Sequence, residues 1–309
     1  MRVLVTGASG YVGHAVLPAL LEAGHVAVAM VRSPWPDAPA GLEVRLADLT
    51  DPAAVSAAVR GCDGVIHLAA LSRPRESVAH PVQYYRANVG GTLALLDALA
   101  GEVAAGAEPQ RFVLASTAAV YAPVELLSEE SPTAAPNPYA DSKLAAENAA
   151  RWQARTGAIG SAVARIFNVA GAVDEHGDRD DTRILPRAVA VANGRIDRID
   201  VNGDGSAVRD FVHVRDVATA LVAMLERCAV GEQSTYNLGA TAASVSDIVG
   251  AVERVTGRPV PVNHRPASPH EVSELRADTA RAGSELGWTP KHSTLDELVK
   301  DQWAAELVR

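Results

Sequence analysis

Three glycines near the N-terminus constrain the fold of this chain more than any other feature of its sequence. Gly7, Gly10 and Gly13 stand between an apolar run over 1–5, which predicts a strand, and a helical pattern over 11–23. In such a junction the first glycine permits a tight turn, the second lets the backbone approach a pyrophosphate, and the third lets the helix pack close to the strand. The N–H groups and the positive dipole end of the helix then face the phosphates. The spacing therefore predicts a dinucleotide site, and a glycine-rich turn without a ligand is the alternative.

The same segment raises the question of a membrane span, because 3–21 carries no formal charge and is close to spanning length. Pro18, His14 and the glycines interrupt it, and it lacks the unbroken apolar run and the cleavage site of a signal peptide. Two cysteines, Cys62 and Cys228, are too few for a disulfide framework. We therefore expect a cytoplasmic protein with no membrane partner.

The overall charge argues against nucleic acids and anionic membrane surfaces as partners. The 309 residues include 28 Lys and Arg against 37 Asp and Glu, a formal net charge of −9, without basic blocks. Nucleic acids and anionic membrane surfaces attract clustered positive charge, so neither is expected to bind. The nine histidines show no pair at metal-ligand spacing, and no metal is expected.

Apolar runs alternate with helical patterns through the first half of the chain. Further strands are predicted over 25–31, 42–46, 64–69 and 112–115, with helices over 51–60 and 85–99. Fully apolar runs indicate parallel strands that are buried on both faces. We therefore predict an α/β fold, a doubly wound parallel sheet of the Rossmann type, with a smaller C-terminal substrate domain. The predicted dinucleotide-binding domain covers 1–170 and 210–239, and the substrate-binding domain covers 171–209 and 240–309.

The end of the second predicted strand bears on which dinucleotide binds. In NAD sites an acid about 20 residues after the glycines binds the adenosine ribose. Here the strand ends at Val31, Arg32 follows, and no acid comes before Asp37. A basic residue favours the 2′-phosphate of NADP over a free hydroxyl, although Arg32 as a solvated surface charge is the alternative. The expected cofactor is NAD(P)(H), with NADP favoured over NAD.

A tyrosine and a lysine supply the candidate chemistry. Pro138 predicts a helix start, and Tyr139 and Lys143 are four residues apart, on one helical face. A nearby ammonium stabilises a phenolate and lowers its pKa, so Tyr139 could exchange protons near neutral pH. Ser116 and Thr117 follow the carboxyl end of the strand predicted over 112–115, where ligands bind in open α/β sheets, and a hydroxyl there could bond the same substrate oxygen. An exposed helix pair without function is the alternative.

These motifs occur in order with several others: Thr6–Gly13, Asp48-Leu49, His67–Ala70, Tyr85 with Asn88, Ser116–Tyr121, Tyr139 with Lys143, Arg165–Asn168, Arg209–Asp216 and Tyr236–Gly239. Together they resemble the extended short-chain dehydrogenase/reductases, specifically the nucleotide-sugar epimerase/dehydratase branch. Within that branch the pattern of the UDP-glucose 4-epimerases is the most similar. The resemblance covers nearly the whole chain.

The resemblance implies a role for each matching residue. Thr117, Tyr139 and Lys143 would be catalytic, with the Tyr139 phenolate removing a sugar hydroxyl proton while the nicotinamide takes hydride from the same carbon. The 4-keto sugar would then rotate and receive the hydride on its other face. Asn168 and Arg209 would hold the nucleotide diphosphate, and a loop cap and a plain Arg209–Asp210 salt bridge are the alternatives. The cofactor would be bound by Gly7, Gly10, Tyr11, Val12, Gly13, Arg32, Asp48, Leu49, Leu68, Ala69, Ala70, Asn88, Ser116, Tyr139, Lys143 and Phe167.

The sequence also departs from the 4-epimerase pattern. Residues 72–75 read Ser-Arg-Pro-Arg where that pattern has a lysine. Residues 268–271 read Ser-Pro-His-Glu where the family has Arg-Pro-Gly-Asp/Glu, so Arg265 is the candidate replacement for a missing diphosphate arginine. Ala118 and Ala119 stand where the dehydratases of the family carry an Asp-Glu pair, which argues against dehydration.

The sequence thus predicts an NAD(P)-dependent nucleotide-sugar 4-epimerase. An NADPH-dependent nucleotide-ketosugar or other carbonyl reductase is the first alternative, motivated by Arg32, and a catalytically silent NAD(P)-binding protein is the second. The family pairs helices around 82–100 and 140–156 across subunits, so a homodimer is expected.

Overall fold

A seven-stranded parallel sheet forms the centre of the chain in the computed structural model, which describes residues 1–267 and 272–309. Its strands run in the order β13-β7-β5-β4-β1-β2-β3. Their bounds are β1 (Arg2–Thr6), β2 (Val26–Val31), β3 (Glu43–Leu46), β4 (Gly64–His67), β5 (Gln110–Thr117), β7 (Ile159–Ile166) and β13 (Gln233–Leu238). The strand order reverses direction between β1 and β4, and ligands bind at the carboxyl end of such a switch point. The predicted doubly wound sheet is confirmed.

Helices pack against both faces of this sheet and around the second half of the chain. They are α1 (Tyr11–Glu22), α2 (Pro52–Val59), α3 (Pro74–Ala79), α4 (Pro81–Tyr84), a π-helical turn (Tyr85–Gly90), α5 (Gly91–Ala104), α6 (Pro138–Arg155), α7 (Ile184–Ala192), α8 (Val214–Arg227), α9 (Val245–Thr256), α10 (Ala280–Leu286) and α11 (Leu295–Leu307). On one face α1 and α8 bury Leu20 and Leu221 against the strands. On the other face α2, α5 and α6 bury Val55, Leu95 and Ala146.

The helix that carries the predicted catalytic pair has a well-defined start. The Asn137 side chain caps α6 by accepting a hydrogen bond of 3.0 Å from the Ala140 N–H. Pro138 occupies the first helical position, where its fixed φ suits a helix and its missing N–H costs nothing. Tyr139 is therefore held in the first turn of α6, and Lys143 follows one turn later.

The second half of the chain adds a smaller layer of strands. A second sheet has the order β14 (Thr241–Ser244), β12 (Val208–His213), β16 (Glu274–Ala277) and β6 (Leu126–Leu127), and β8 (Asn168–Ala170) also pairs with β12. Two strand pairs complete it, β9 (Ala172–Val173) with β10 (His176–Gly177) and β11 (Ile199–Asn202) with β15 (Val262–Arg265). Beside them α7, α9 and α11 bury Leu185, Val252 and Leu298 in a separate apolar cluster. The division of the chain into two discontinuous domains stays a prediction.

One predicted segment differs locally from the structure. The helix expected over 85–99 begins with the π-helical turn. No helix among the described residues is long and apolar enough to cross a membrane.

Candidate active site

The glycine-rich junction between β1 and α1 has no room for side chains. Gly7 has a φ of +68°, and a Cβ there would lie 2.9 Å from the Ala69 nitrogen. A Cβ at Gly13 would lie 2.3 Å from the Ala8 oxygen, because the first turn of α1 packs directly on the loop. Gly10 begins the helix without a side-chain cap, and the first turn holds no acid. The first N–H groups of a helix have no partner within the helix, and glycines let a ligand come close to the backbone. Both features suit the pyrophosphate of a dinucleotide, so these residues fit that cofactor.

The segment after β4 lies against the same junction and is held by neutral contacts. The Thr6 hydroxyl is 2.7 Å from Nδ1 of His67 and accepts a hydrogen bond of 3.2 Å from the Ala69 N–H. Burial lowers the pKa of His67 to about 3, so its ring is uncharged at neutral pH. Leu68, Ala69 and Ala70 therefore form a fixed wall at the switch point between β1 and β4.

The adenine end of the predicted cofactor site is more open. Arg32 is exposed directly after β2, and Asp48 lies after the neighbouring β3. Hydrogen bonds of 2.8 Å from the Thr50 N–H and hydroxyl lower the pKa of Asp48, and the charge of Arg32 lowers it further. Leu49 packs against Gly91 at the start of α5.

Asn88 joins two parts of the site. Its Oδ1 accepts a hydrogen bond of 2.8 Å from the Leu71 N–H, and its Nδ2 donates to the Leu71 carbonyl at 3.0 Å. The same Nδ2 donates to the Ser142 hydroxyl at 3.0 Å. Since Ser142 lies between Tyr139 and Lys143 on α6, Asn88 fixes the segment after β4 relative to the predicted catalytic helix.

The three predicted catalytic residues meet at the carboxyl end of β5. Thr117 is the last residue of β5, and its side chain lies close enough to the Tyr139 phenol to lower its pKa. Tyr139 and Lys143 are both buried on α6. Burial lowers the pKa of the Lys143 ammonium to about 8, and the negative charge of Glu147 opposes this shift.

The prediction that the pKa of Tyr139 is lowered is wrong, because in this chain that pKa is raised. Burial raises the pKa of the phenol, and the opposing effects are the Thr117 hydrogen bond and then the charge of Arg183. Desolvation disfavours a buried phenolate, and here it outweighs these two effects. The charge of Arg183, from another part of the chain, is one that favours the phenolate.

Ser116 and Thr117 point to opposite sides of β5, as successive residues of a strand do. The Ser116 hydroxyl donates to the Glu147 carboxylate, which also receives a 2.7 Å bond from Nη2 of Arg165. Thr117, and not Ser116, therefore supplies the hydroxyl beside Tyr139. Glu147 and Arg165 form a buried ion pair between α6 and β7.

The predicted substrate residues lie on the second sheet. Asn168 begins β8 and donates a 2.8 Å bond to the Asp210 carbonyl, which follows Arg209 on the paired β12. Arg209 donates from Nη1 to the Val208 carbonyl at 2.7 Å.

Arg265, the candidate replacement arginine, is engaged elsewhere. It forms a 2.6 Å ion pair with Asp200 across β11 and β15. Residues 268–271, where the family arginine is missing, lie outside the described residues, so the replacement is untested. Phe167, expected at the cofactor, packs in a cluster with Val120, Tyr121 and Leu127.

Several residues near Tyr139 were not predicted as site residues. The Tyr84 ring meets the Tyr139 ring edge-on with centroids 6.4 Å apart, and its hydroxyl donates to the Arg73 carbonyl at 2.9 Å. Nε of Arg73 lies 3.6 Å from Oδ2 of Asp180, and Nε of Arg183 lies 4.0 Å from the same oxygen. The only sequence signal was indirect, since Arg73 stands where the 4-epimerase pattern has a lysine.

Comparison with known proteins agrees with this geometry. The model of the NAD dependent epimerase/dehydratase family matches residues 3–239. A UDP-glucose 4-epimerase of Streptomyces lividans is 36% identical over 320 residues, covering 98% of this chain and 95% of the relative.

Solved structures show the same relationship. The UDP-glucose 4-epimerase of Stenotrophomonas maltophila, solved with NAD and formylated UDP-arabinopyranose, is 30% identical with a TM-score of 0.90 and covers 100% of this chain and 98% of its own. MoeE5, solved with UDP-glucuronic acid and NAD, is 30% identical with a TM-score of 0.87 and covers 100% and 99%. The predicted relationship is confirmed, and the chain is an enzyme that belongs to the NAD-dependent epimerase/dehydratase family within the extended short-chain dehydrogenase/reductases.

Proposed function

We propose that this chain is a nucleotide-sugar 4-epimerase that acts through transient oxidation of the sugar to a 4-keto intermediate. The observation that carries the proposal is the meeting of Thr117, Tyr139 and Lys143 beside the glycine junction. Its similarity over nearly full length to UDP-glucose 4-epimerases supports the same activity. Ala118 and Ala119, which follow Thr117, provide no carboxylate for a dehydration step.

The chemistry divides between the cofactor and the chain. When bound on the glycine junction, the oxidised nicotinamide supplies a reversible hydride acceptor and a positive charge. The phenolate oxygen of Tyr139 takes the proton of the sugar 4-hydroxyl. It returns this proton after the 4-keto sugar has rotated to present its other face. The Thr117 hydroxyl lies near the phenol and would bind the same sugar oxygen. Lys143 keeps positive charge near the phenolate while its own proton is retained.

The activity test is a screen of UDP-, dTDP-, GDP- and CDP-linked sugars with NMR detection of the product. Tyr139→Phe should lower turnover at least about 100-fold, because it removes the proton acceptor. Tyr85→Phe is the matched control, since that hydroxyl donates to Asp141 on the surface. No turnover of any nucleotide sugar by the wild type would support the silent binding protein, and equal turnover of the wild type and Tyr139→Phe would exclude the proposed role of Tyr139. Because MoeE5 is solved with both UDP-glucuronic acid and UDP-glucose, the screen includes acidic and neutral sugars.

The preference between NAD and NADP is a second proposal. Exposed Arg32 directly after β2 favours the 2′-phosphate of NADP, whereas the structural relatives contain NAD. Arg32→Asp should weaken NADP⁺ binding at least about tenfold and leave NAD⁺ binding equal or stronger. Calorimetry with each dinucleotide measures both. Exchangeable NADPH that is consumed with a ketosugar would favour the reductase, and tightly held NAD⁺ favours the epimerase.

We also propose a homodimer in the cytoplasm. The segment that leads into α5 and the end of α6 expose large apolar side chains, among them Val82, Leu93 and Trp152. Exposed apolar side chains on neighbouring helices are typical of a subunit interface. Light scattering should give twice the 32.2 kDa mass of the chain, and a mass near one protomer would contradict the dimer.

A further inference from the structure

A cavity of about 340 Å³ lies between α6 and β13, the outermost strand of the central sheet. Its walls come from α6, β7 and β13 and from the segment that precedes α6. Neither the glycine junction nor Tyr139 lines it, so it is separate from the candidate active site. Ligand pockets in proteins have volumes of about 300–1,000 Å³, and this cavity can therefore hold a molecule as large as a monosaccharide.

Charged side chains of both signs line this cavity, and positive charge is in excess. Arg165 on β7 and Glu147 on α6 form the buried ion pair described above. Arg151 lies one turn after Glu147, donates from Nη2 to Oδ1 of Asn148 at 2.9 Å, and contacts the Trp152 ring. None of the carboxylates in the part of the chain that the structure describes pairs with Arg151. The lining thus carries one uncompensated positive charge, which attracts an anion.

Arg165 keeps donors for a ligand although it is paired. Its Nε and Nη2 donate to Oε2 of Glu147 at 3.2 and 2.7 Å, and its Nη1 donates to the Glu129 carbonyl at 3.3 Å. Its guanidinium also lies over the Tyr121 ring, with Cζ 4.8 Å from the ring centroid. These contacts fix the plane of the guanidinium and use three of its five N–H groups, so the side chain has donors left for an anion.

The uncharged polar groups of the lining suit a ligand with hydroxyl groups. Gln233 and Thr235 face the cavity together, because residues two apart on a strand share a face. Gln233 donates from Nε2 to the Glu147 carbonyl at 3.0 Å, and no described residue donates to its Oε1. The hydroxyls of Thr133 and Thr235 make no hydrogen bond with the described residues, and each can both donate and accept. The cavity therefore presents donors and acceptors for several hydroxyls as well as positive charge.

We propose that this cavity is a binding site for a sugar phosphate, a hydroxylated anion of monosaccharide size. The phosphate lies at Arg151 and Arg165, whose guanidinium groups form charge-assisted hydrogen bonds with separate phosphate oxygens. The sugar hydroxyls lie at Gln233, Thr133 and Thr235. Inorganic phosphate would leave these three side chains unused, and a neutral sugar would leave Arg151 without an anion. The site is independent of the proposed epimerase activity and adds a second class of ligand.

The test is calorimetric titration of the purified protein with glucose 6-phosphate, inorganic phosphate and glucose. NAD⁺ and UDP are present at saturation in each titration, so that the candidate active site is occupied. Glucose 6-phosphate should bind with a dissociation constant below about 1 mM, and phosphate and glucose should each bind at least about tenfold more weakly. The proposal fails if glucose 6-phosphate does not bind at about 10 mM, or if phosphate or glucose binds equally well.

Two variants test the two parts of the ligand. Arg151→Gln should weaken the binding of glucose 6-phosphate and of phosphate about tenfold, as expected for a lost hydrogen bond to a charged group. Arg155→Gln is its matched control and should leave both affinities unchanged, because Arg155 contacts the same Trp152 ring from outside the cavity. Thr235→Val, which removes a hydroxyl and keeps the shape, should weaken glucose 6-phosphate about threefold and leave phosphate binding unchanged.

None of these three side chains belongs to the buried ion pair, so each variant should keep the melting temperature of the wild type. Equal losses in Arg151→Gln and Arg155→Gln would indicate attraction by surface charge alone and would overturn the proposal. Binding that occurs only without NAD⁺ and UDP would place the sugar phosphate in the active site and contradict a separate site. None of these results depends on epimerase turnover, so failure of the proposed function is measured separately by the nucleotide-sugar screen.

Discussion

The same glycine-to-alanine change should have opposite effects at two helical positions. Gly13 lies in the first turn of α1 and Gly101 lies near the end of α5. Alanine is favoured over glycine inside a helix by about 1 kcal/mol, so propensity alone predicts that both changes stabilise the fold. The atoms around each new Cβ determine whether the change stabilises or destabilises the fold.

At Gly13 the new methyl group would meet backbone that cannot rotate away. The built Cβ is 2.3 Å from the Ala8 oxygen and 2.6 Å from both the Ala8 carbonyl carbon and the Gly7 oxygen. Relief requires the helix or the loop to move by about 1 Å, since carbon contacts are favourable near 3.5–4.0 Å. Overpacking of this kind costs about 1–3 kcal/mol, so Gly13→Ala should lose about 1–2 kcal/mol after its gain in propensity. At Gly101 nothing lies within 4 Å, and Gly101→Ala should gain about 0.5–1 kcal/mol.

Urea denaturation of both variants measures this difference, and the melting temperature should shift by about 2–4 °C per kcal/mol. The atoms that obstruct Gly13 belong to the loop that faces the pyrophosphate, so NAD⁺ affinity of Gly13→Ala should fall at least about tenfold by calorimetry. Gly101→Ala should bind NAD⁺ as the wild type does. If Gly13→Ala proves as stable as Gly101→Ala, the close contact between α1 and the loop is not rigid and the reasoning fails.

Four further predictions concern buried ionisable groups. Glu147→Ala should lower the free energy of unfolding by about 3–5 kcal/mol, because it leaves the Arg165 guanidinium buried without its carboxylate; a loss below about 1 kcal/mol in urea denaturation would contradict this. Turnover should decline on the alkaline side with an apparent pKa of about 8, where Lys143 loses its proton, and a pH–rate profile that stays flat to pH 10 would exclude that role. Since the folded pKa of Lys143 lies below that of an unfolded lysine, its contribution to stability should rise with pH between these two values, as chemical denaturation at several pH values can test. The thiols of Cys62 and Cys228 should react slowly with a thiol reagent in the native protein, because burial raises the pKa of both, that of Cys228 to about 12; rapid native labelling would refute this.

The fold could be predicted because its signals are local in sequence. The apolar runs that become β1, β2 and β4 are short and nearly uncharged, and the glycine junction marks where the first of them turns into a helix. Tyr139 and Lys143 could be paired for the same reason, since one helical turn separates them. Each of these predictions needs only a spacing and a helix or strand period.

The surroundings of Tyr139 could not be predicted in this way, because they arise from packing between distant segments. Arg183 is 44 positions beyond Tyr139, and nothing in its own neighbourhood marks it as part of the site. The loop after β10 lies beside the segment after β4, where Arg73 and Arg183 both approach Asp180. The sequence showed that Arg73 departs from the 4-epimerase pattern, but not that a second arginine from another loop lies opposite it.

The wrong sign for the Tyr139 pKa has a related cause. A spacing of four residues places an ammonium near a phenol, but the shift is the sum of that attraction and the cost of removing both groups from water. Both residues are buried, so desolvation raises the pKa of Tyr139 and lowers that of Lys143 to about 8. Burial thus favours the neutral form of each side chain. The phenolate and the ammonium are therefore less favoured than the spacing of the two residues alone predicts. The charge of Arg183, which lies outside the pair, also favours the phenolate. A substitution at position 183 should therefore change the pH dependence of turnover, and identical pH–rate profiles of the wild type and Arg183→Gln would contradict this.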